Sequence, residues 1–563
     1  MNSLGLLLTY LGVLTLLAYP LGIYMARVFE GRSLGFMNFL KPLERLFYRT
    51  SGIDETQEMN GKGWVSALLI FSVVKIVLVF FILFFQNFLP GNPQNFPGVP
   101  WDLALNTAVS FVTNTNWQNY GGEYTLSYVS QMVALAVQNF LSAAAGIVVL
   151  LALIRGIARK QGKTLGNFWV DMVRTTLYIL LPLSMVYGLF LISQGVIQNF
   201  NGYVEVQTLA GGSQLIPGGP AASQIAIKLL GTNGGGFFNA NSAFPLENPN
   251  PFSNFTQIIA LTLIAAGLVF AYGRMVGDKR QSWAIYGVMV GLYATMTVLA
   301  YSAEVQIPAQ PLVSGVDWSQ GNMEGKETRF GIGPSVLFAT ATTSTSCGAV
   351  NSMHDSYTPL GGMVPMVLMQ FGEVVFGGVG SGLYGMLAMI FLTVFVGGLM
   401  VGRTPEYLGK KVEPFDMKMV VIATMITPLV VLLGAGAAAL WPDTAKSLTN
   451  PGPHGFSEML YAFTSTGNNN GSAFGGFSGN TNFLNVALAL TMFFGRFGVI
   501  VPIIFLADSL VQKKTMAQGP GTLPTHGMTF NLLLVGFIII VAALNYIPAL
   551  ALGPLADFFQ GMK

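Results

Sequence analysis

Ten long apolar stretches run along this chain, at about residues 4–25, 63–85, 129–154, 171–193, 255–275, 282–303, 363–400, 417–440, 483–506 and 529–551. Each is long enough and poor enough in charge to cross a bilayer as a helix, which takes about 20 residues. The stretch 363–400 exceeds one simple span and is interrupted by Gly377-Gly378-Val379-Gly380-Ser381-Gly382. It reads as one broken span, a backbone arrangement tolerated at membrane depth where it lines a path. The first stretch has no basic segment ahead of it and no small-residue cleavage pattern after it, so it reads as a retained span.

Between the spans, four shorter segments (103–112, 221–231, 334–345 and 456–466) each lead into a polar loop. The loops are Val112-Thr113-Asn114-Thr115, Thr232-Asn233-Gly234-Gly235-Gly236, Ser346-Cys347-Gly348-Ala349 and Asn469-Asn470-Gly471-Ser472. The pattern predicts an all-α polytopic membrane protein with about ten transmembrane helices. Four span–pore-loop–span repeats stand in a pseudo-fourfold arrangement, with one extra helix at each end. The expected units are 1–62 (extra span and cytoplasmic loop), 63–170, 171–281, 282–416 and 417–515 (four pore repeats), and 516–563 (extra span).

Composition strengthens the membrane reading. Hydrophobic residues make up 52% and charged ones 9%, against about 25% charged in soluble domains. The distribution of charge gives orientation. Lysine and arginine cluster at 27–62, 155–174, 274–280, 403–418 and 513–514, whereas the opposite side carries only Lys228, Lys326, Arg329, Lys446 and Lys563. The excess of basic residues marks the cytoplasmic side, so both termini lie outside. Treating 363–400 as two spans would put later basic clusters outside, which disfavours that division. The outer side carries Asp102, Glu123, Glu205, Glu247, Glu304, Asp317, Glu324, Glu327, Asp355, Asp443, Glu458 and Asp557, predicting a negative vestibule that gathers cations.

Small and turn-tolerant residues let backbone carbonyls face an axis and replace the hydration shell of a cation. The candidate filter comprises Val112, Thr113, Asn114, Thr115, Thr232, Asn233, Gly234, Gly235, Ser346, Cys347, Gly348, Asn469, Asn470 and Gly471. Gln118 either lines the mouth or braces the loop. Setting Asn114, Gly234, Gly348 and Gly471 level puts an aromatic three residues later in three repeats (Trp117, Phe237, Phe474) and Asn351 in the other. Cys347 reads as a small apolar filler and the lone cysteine excludes an internal disulfide. In the broken span, Gly380, Ser381 and Gly382 are candidate gate residues. Glu373 is an intramembrane acid on the same span, and such residues mark pathways or charge pairs. Arg496 pairs with it, guards the inner pore or turns cations aside. Lys75 has no assigned role, and His354, His454 and His526 form no metal-ligand pattern in sequence.

Longer motifs narrow the reading. Residues 106–118 (NTAVSFVTNTNWQ), 231–241 (GTNGGGFFNAN), 402–411 (GRTPEYLGKK), 450–458 (NPGPHGFSE) and 521–527 (GTLPTHG) resemble the KdpA family of potassium-binding subunits of bacterial Kdp-type potassium-transporting ATPases. That family stands in a superfamily with the Trk, Ktr and HKT transporters, and the likeness covers essentially the whole chain. The resemblance implies high-affinity potassium uptake across the bacterial inner membrane, with ATP hydrolysed on a partner, KdpB, and with KdpC and the small KdpF completing the complex. It implies potassium as the transported ion and a lateral tunnel towards KdpB. The chain itself carries no Asp-Lys-Thr-Gly phosphorylation motif and no phosphate loop, and its cytoplasmic loops are too short for a nucleotide-binding domain, so no nucleotide is expected on it. The alternative is an autonomous Trk/Ktr-like channel or symporter.

Overall fold

The computed structural model describes residues 3–306, 319–516 and 523–561. Asp317, residues 521–522 of the GTLPTHG motif and Lys563 lie outside the described residues. Among the described residues, ten helices are long and apolar enough to span a membrane: Ser3–Phe29, Gly61–Phe84, Ser130–Ala158, Phe168–Ser193, Pro251–Met275, Lys279–Glu304, Ser381–Val401, Pro414–Leu440, Asn482–Gln512 and Met528–Leu552, hereafter spans 1 to 10. Nine coincide with the apolar stretches, and span 7 takes only the second half of the stretch 363–400. Four pore helices, Trp101–Val112, Ala221–Leu230, Ile332–Ser344 and Gly452–Gly467, fall where the short segments were expected. Among the described residues, strands occur only as two small antiparallel hairpins, Val204–Gln207 with Ser213–Ile216 and Glu406–Tyr407 with Lys410–Lys411, beside one isolated bridge, Lys326 with Ser352.

Residue size decides how the spans pack. Span 1 lies against span 5 through Gly22 and Gly267; a Cβ on Gly22 would overlap the main chain at Gly267. Tyr10 caps the contact by donating to Thr262 Oγ1 at 3.0 Å. Small residues allow this close approach, which supplies dispersion where lipid removes any hydrophobic drive. Spans 3 and 5 are largely enclosed, whereas spans 8 and 10 show most of their surface outward.

The broken span is Pro359–Gln370 followed by Ser381–Val401. The irregular stretch, 371–380, starts earlier than the glycine cluster, and Ser381 and Gly382 belong to the first turn of the resumed helix. Gly372, Glu373, Phe376, Gly377 and Gly380 all have positive φ, which uncoils the backbone and leaves its polar groups to bond elsewhere.

Of the described acids expected on the outer side, Glu205, Glu324 and Asp443 are exposed and Glu327, Asp355 and Asp557 half-buried, but five do not line an open vestibule. Asp102, Glu123, Glu247, Glu304 and Glu458 are buried. Glu458 accepts from Thr449 N and Asn450 N, both at 3.0 Å, and Glu304 accepts from Lys326 Nζ at 2.7 Å and Thr358 N at 2.8 Å. Carboxylates with several acceptor sites hold the turns between pore helix and span.

His454 is likewise engaged. Its ring bridges Asp355, just past the third loop, at 3.0 Å and Asp557 of the C-terminal helix Pro554–Gly561 at 2.9 Å. The bonds to Asp355 and Asp557 raise its pKa to about 10 against some desolvation. A raised folded-state pKa gives stability that is full below the unfolded value, about 6.5, and disappears as pH climbs through about 10. Hydrogen exchange should therefore find the C-terminal helix docked at pH 7 and loosened above about pH 10. Identical exchange at both pH values, after correction for intrinsic rate, contradicts the clamp.

Candidate functional site

Four equivalent hydrogen bonds fold each polar loop back onto its pore helix. Thr115 N donates to Ser110 O at 2.9 Å, Asn233 N to Lys228 O at 2.8 Å, Cys347 N to Thr342 O at 3.2 Å and Asn470 N to Ser465 O at 2.8 Å. One residue earlier stand Asn114, Thr232, Ser346 and Asn469, all with positive φ between 48° and 69°. One residue later stand Asn116, Gly234, Gly348 and Gly471, again all positive. The geometry therefore corrects the sequence alignment by two residues in the first loop: Asn116, not Asn114, stands with the glycines. Three residues beyond lie Asn119, Phe237, Asn351 and Phe474, so only two repeats place an aromatic there.

Positive φ is costly for Thr and Ser, by about 1–3 kcal/mol each, and side-chain bonds hold these residues there. Asn114 Nδ2 donates to Thr232 O at 3.0 Å. Ser346 Oγ donates to Asn469 O at 2.9 Å, and Asn469 Nδ2 to Thr115 Oγ1 at 2.9 Å. Thr232 Oγ1 accepts from Val379 N of the broken span at 3.0 Å. Loop one thus bonds to loop two, loop three to loop four, and loop four to loop one. Loop two meets loop three by direct packing, with Gly234 against Cys347 O and Ala349 N. The four loops close a ring.

Glycine is required at the ring's seams. A Cβ on Gly234 would overlap Cys347 O, one on Gly348 would overlap Asn470 O, and one on Gly471 would overlap Thr115 O. Each collision involves the carbonyl at the residue between the two positive-φ positions. These four carbonyls (Thr115, Asn233, Cys347 and Asn470) accept no hydrogen bond among the described residues. Four main-chain oxygens at equivalent positions of the four loops, close to neighbouring loops and without donors, have the chemistry to take the place of water around a bare monovalent cation.

The other predicted residues are placed differently. Val112 ends the first pore helix and Thr113 caps it. Gly235 faces Asn116 of the first loop. Gln118 acts as a brace: its Oε1 accepts from Gly236 N at 2.8 Å and its Nε2 donates to Gly236 O at 3.2 Å. Cys347 is buried as a filler, its Sγ 3.8 Å from Lys228 O.

The broken span is tied to the ring from below. Gly377 N donates to Ser344 O at 2.8 Å, and a Cβ at Gly380 would overlap Gly146 of span 3. Glu373 Oε1 accepts from Asn470 Nδ2 at 3.2 Å. Arg496 Nη2 donates to Ser142 O at 3.4 Å. The two charges make no direct ion pair, which corrects the pairing considered from sequence. Instead both line one cavity of about 80 Å³, with Gln370, Ser381, Asn468 and Asn469. Gln370 presents both amide atoms with no protein partner.

Several residues here were not foreseen. Ser142 bonds Asn114 Oδ1 at 2.7 Å, and Asn139 Oδ1 accepts from Asn116 Nδ2 at 2.8 Å. Their signal was present as a polar group, Gln138, Asn139 and Ser142, inside an otherwise apolar span. Asn241 donates to Gly234 O at 3.1 Å. Lys75 stays apart: its Nζ has no hydrogen-bond partner and lies 4.4 Å from the centre of the Phe71 ring.

Comparison with known proteins agrees with this architecture. The crystal structure of the potassium transporter TrkH from Vibrio parahaemolyticus superposes with a TM-score of 0.53 at 15% identity, over 90% of this chain and 98% of that one. The likeness is one of fold. A potassium-transporting ATPase potassium-binding subunit from Yersinia enterocolitica is 56% identical over 556 residues, covering 99% of this chain and 98% of the relative. The protein of the same description from Herminiimonas arsenicoxydans is 52% identical over 594 residues, covering 99% of both. Residues 8–559 match the KdpA family, described as the potassium-transporting ATPase A subunit, and the chain belongs to that family.

Proposed function

We propose that this chain is the potassium-binding and translocating subunit of an ATP-driven uptake complex, selecting potassium from the outer side at the ring of four loops. Thr115, Asn233, Cys347 and Asn470 offer carbonyls to the ion. Asn114, Thr232, Ser346 and Asn469 set the backbone, and Gly234, Gly348 and Gly471 allow the loops to approach. The carrying observation is the set of four equivalent, donor-free carbonyls in loops that close a ring. Below it, the irregular 371–380 stretch with Glu373 and Gly380, and Ser381 and Gly382 where the helix resumes, forms the gate. Arg496 opposes free passage of a cation towards the cytoplasm.

On this reading potassium is the transported ion, and ATP is hydrolysed on a P-type partner, KdpB, with KdpC and KdpF in the complex. The chain sits in the bacterial inner membrane with both termini outside, and binds no nucleotide. The decisive experiment reconstitutes the chain with and without its ATPase partner into vesicles and measures potassium uptake. Uptake that requires both partner and ATP supports the pump subunit. Uptake driven by a gradient alone, without the partner, replaces it with the autonomous transporter.

A cation passing within about 8 Å of Arg496 at an effective dielectric near 20 meets about 2 kcal/mol of repulsion. Arg496→Gln should therefore raise ATP-independent rubidium leak about thirtyfold with the complex still assembled. Unchanged leak and coupling would make Arg496 a structural residue only.

A further inference from the structure

Three residues of metal-ligand type, without any sequence spacing that announces them, meet at the N-terminal end of the fourth pore helix. His454 and Glu458 stand one turn apart on Gly452–Gly467, so they share a face. Asp355 comes from the short turn His354–Ser356 that follows the third loop. One ligand atom from each of the three lies within 4.8 Å of the other two, and His454 Nε2 is 3.0 Å from Asp355 Oδ1. A tetrahedral ion with bonds of about 2.1 Å sets its donors about 3.4 Å apart, a spacing these atoms bracket.

Outer contacts aim each ligand. Asp557 Oδ2 lies 2.9 Å from His454 Nδ1 and leaves Nε2 turned to Asp355, the carboxylate–imidazole arrangement that orients a metal-bound histidine. The imidazole also stacks on Phe474, with 6.3 Å between ring centres. Glu458 is fully buried, and Thr449 N, Asn450 N and Asn450 Nδ2 occupy three of its about four acceptor positions. Gly476 keeps the space between the two carboxylates free of a side chain. A Cβ there would lie 2.6 Å from Asp355 Oδ2 and 2.8 Å from Glu458 Oε1. Charge points the same way. Asp355, Glu458 and Asp557 bring three carboxylates together, and among the described residues His454 is the one cation in an ion pair with any of them.

We propose that His454, Asp355 and Glu458 bind a divalent cation of the zinc class, with water as the fourth ligand and Asp557 orienting the imidazole. One imidazole nitrogen with two carboxylate oxygens is a zinc ligand set, whereas calcium takes about six to eight oxygens. The Nε2 proton of the metal-free clamp leaves to solvent as the ion binds, and Nδ1–H continues to donate to Asp557. The ion ties the exit of the third loop to the first turn of the fourth pore helix, and through Asp557 to the C-terminal helix. It uses none of the four ring carbonyls.

The assembled complex, stripped by a chelator, is titrated with cobalt(II) and then with zinc. The visible absorption of tetrahedral cobalt and the heat of binding are followed, and only binding that disappears in His454→Gln is counted. One cobalt ion per chain should bind and be displaced by zinc. Asp557→Asn should weaken zinc about tenfold, Asp355→Asn should weaken it further, and His526→Gln should bind as the wild type does. Both asparagine variants keep side-chain size, so unchanged zinc affinity in the two would overturn the site even if His454→Gln misfolds. Cobalt absorption that persists in His454→Gln would place the metal elsewhere in the complex and overturn it too. Magnesium displacing cobalt as readily as zinc does would reduce the cluster to an acidic patch, with the same consequence.

Discussion

Gly234→Ala should raise the potassium concentration for half-maximal uptake by about a hundredfold and admit sodium, while Gly277→Ala should change neither. Both glycines have similar backbones, with φ 87° and 78°. An alanine at either position bears the strain of a left-handed conformation, about 1–3 kcal/mol. At Gly277 a Cβ would meet nothing within 4 Å, so strain is its only cost. At Gly234 the Cβ overlaps Cys347 O and crowds Ala349 N at 2.6 Å. Overpacking adds about 1–3 kcal/mol, and relief requires moving the very carbonyl assigned to the ion. That overpacking cost of about 1–3 kcal/mol, levied on the ion-bound arrangement, is about five- to 150-fold in affinity. Potassium-dependent ATP hydrolysis by the assembled complex, titrated with potassium and then with sodium, reads the difference. If both alanine variants behave alike, strain rather than carbonyl placement governs the ring. If neither changes affinity, the ring is not where potassium is selected.

The spans were legible because membrane helices declare themselves by length and lack of charge. The four pore helices were legible because short apolar runs stopped at Thr, Asn and Gly. What sequence misjudged was geometry that side-chain type does not encode. Aligning Asn114 with three glycines matched turn-forming residues, whereas the backbone matches Asn114 with Thr232, Ser346 and Asn469. A threonine or serine at positive φ is improbable from propensity alone; it is held by partners from other loops more than a hundred residues away. The expected acidic vestibule was drawn too broadly for a related reason. Charge counting sees Glu247, Glu304 and Glu458 but not that each is buried against its own donors. The relation of Glu373 to Arg496 depended on span rotation, which sequence spacing in a broken helix leaves open.

The strongest test of how the ring is held concerns Lys228. In repeats one and four the corresponding positions are Ser110 and Ser465, whose hydroxyls brace their own loops: Ser110 Oγ donates to Trp117 O at 2.9 Å, and Ser465 Oγ accepts from Gly471 N at 2.9 Å. Repeat two instead buries an ammonium completely. Lys228 Nζ bonds Glu247 and, at 2.6 Å, Asn241 Oδ1, and Asn241 Nδ2 donates to Gly234 O at 3.1 Å. A buried charge pair of this kind gives little net stability but leaves a large penalty, about 3–5 kcal/mol, when one partner is removed. Lys228→Met should therefore prevent the chain from accumulating, by stranding Glu247. Lys228→Met combined with Glu247→Leu replaces the pair by apolar packing and should melt within a few degrees of the wild-type complex. In that double variant Asn241 has lost its orienting cation, so its bond to Gly234 O loosens. Discrimination of potassium over sodium should then fall about tenfold, the equivalent of one hydrogen bond worth about 1.4 kcal/mol. Wild-type discrimination in a stable double variant would reduce the pair to packing. A stable Lys228→Met chain would show that Glu247 finds water or another donor, contrary to its burial. The pairing of restored stability with lost selectivity is the result that only an oriented brace behind the second loop predicts.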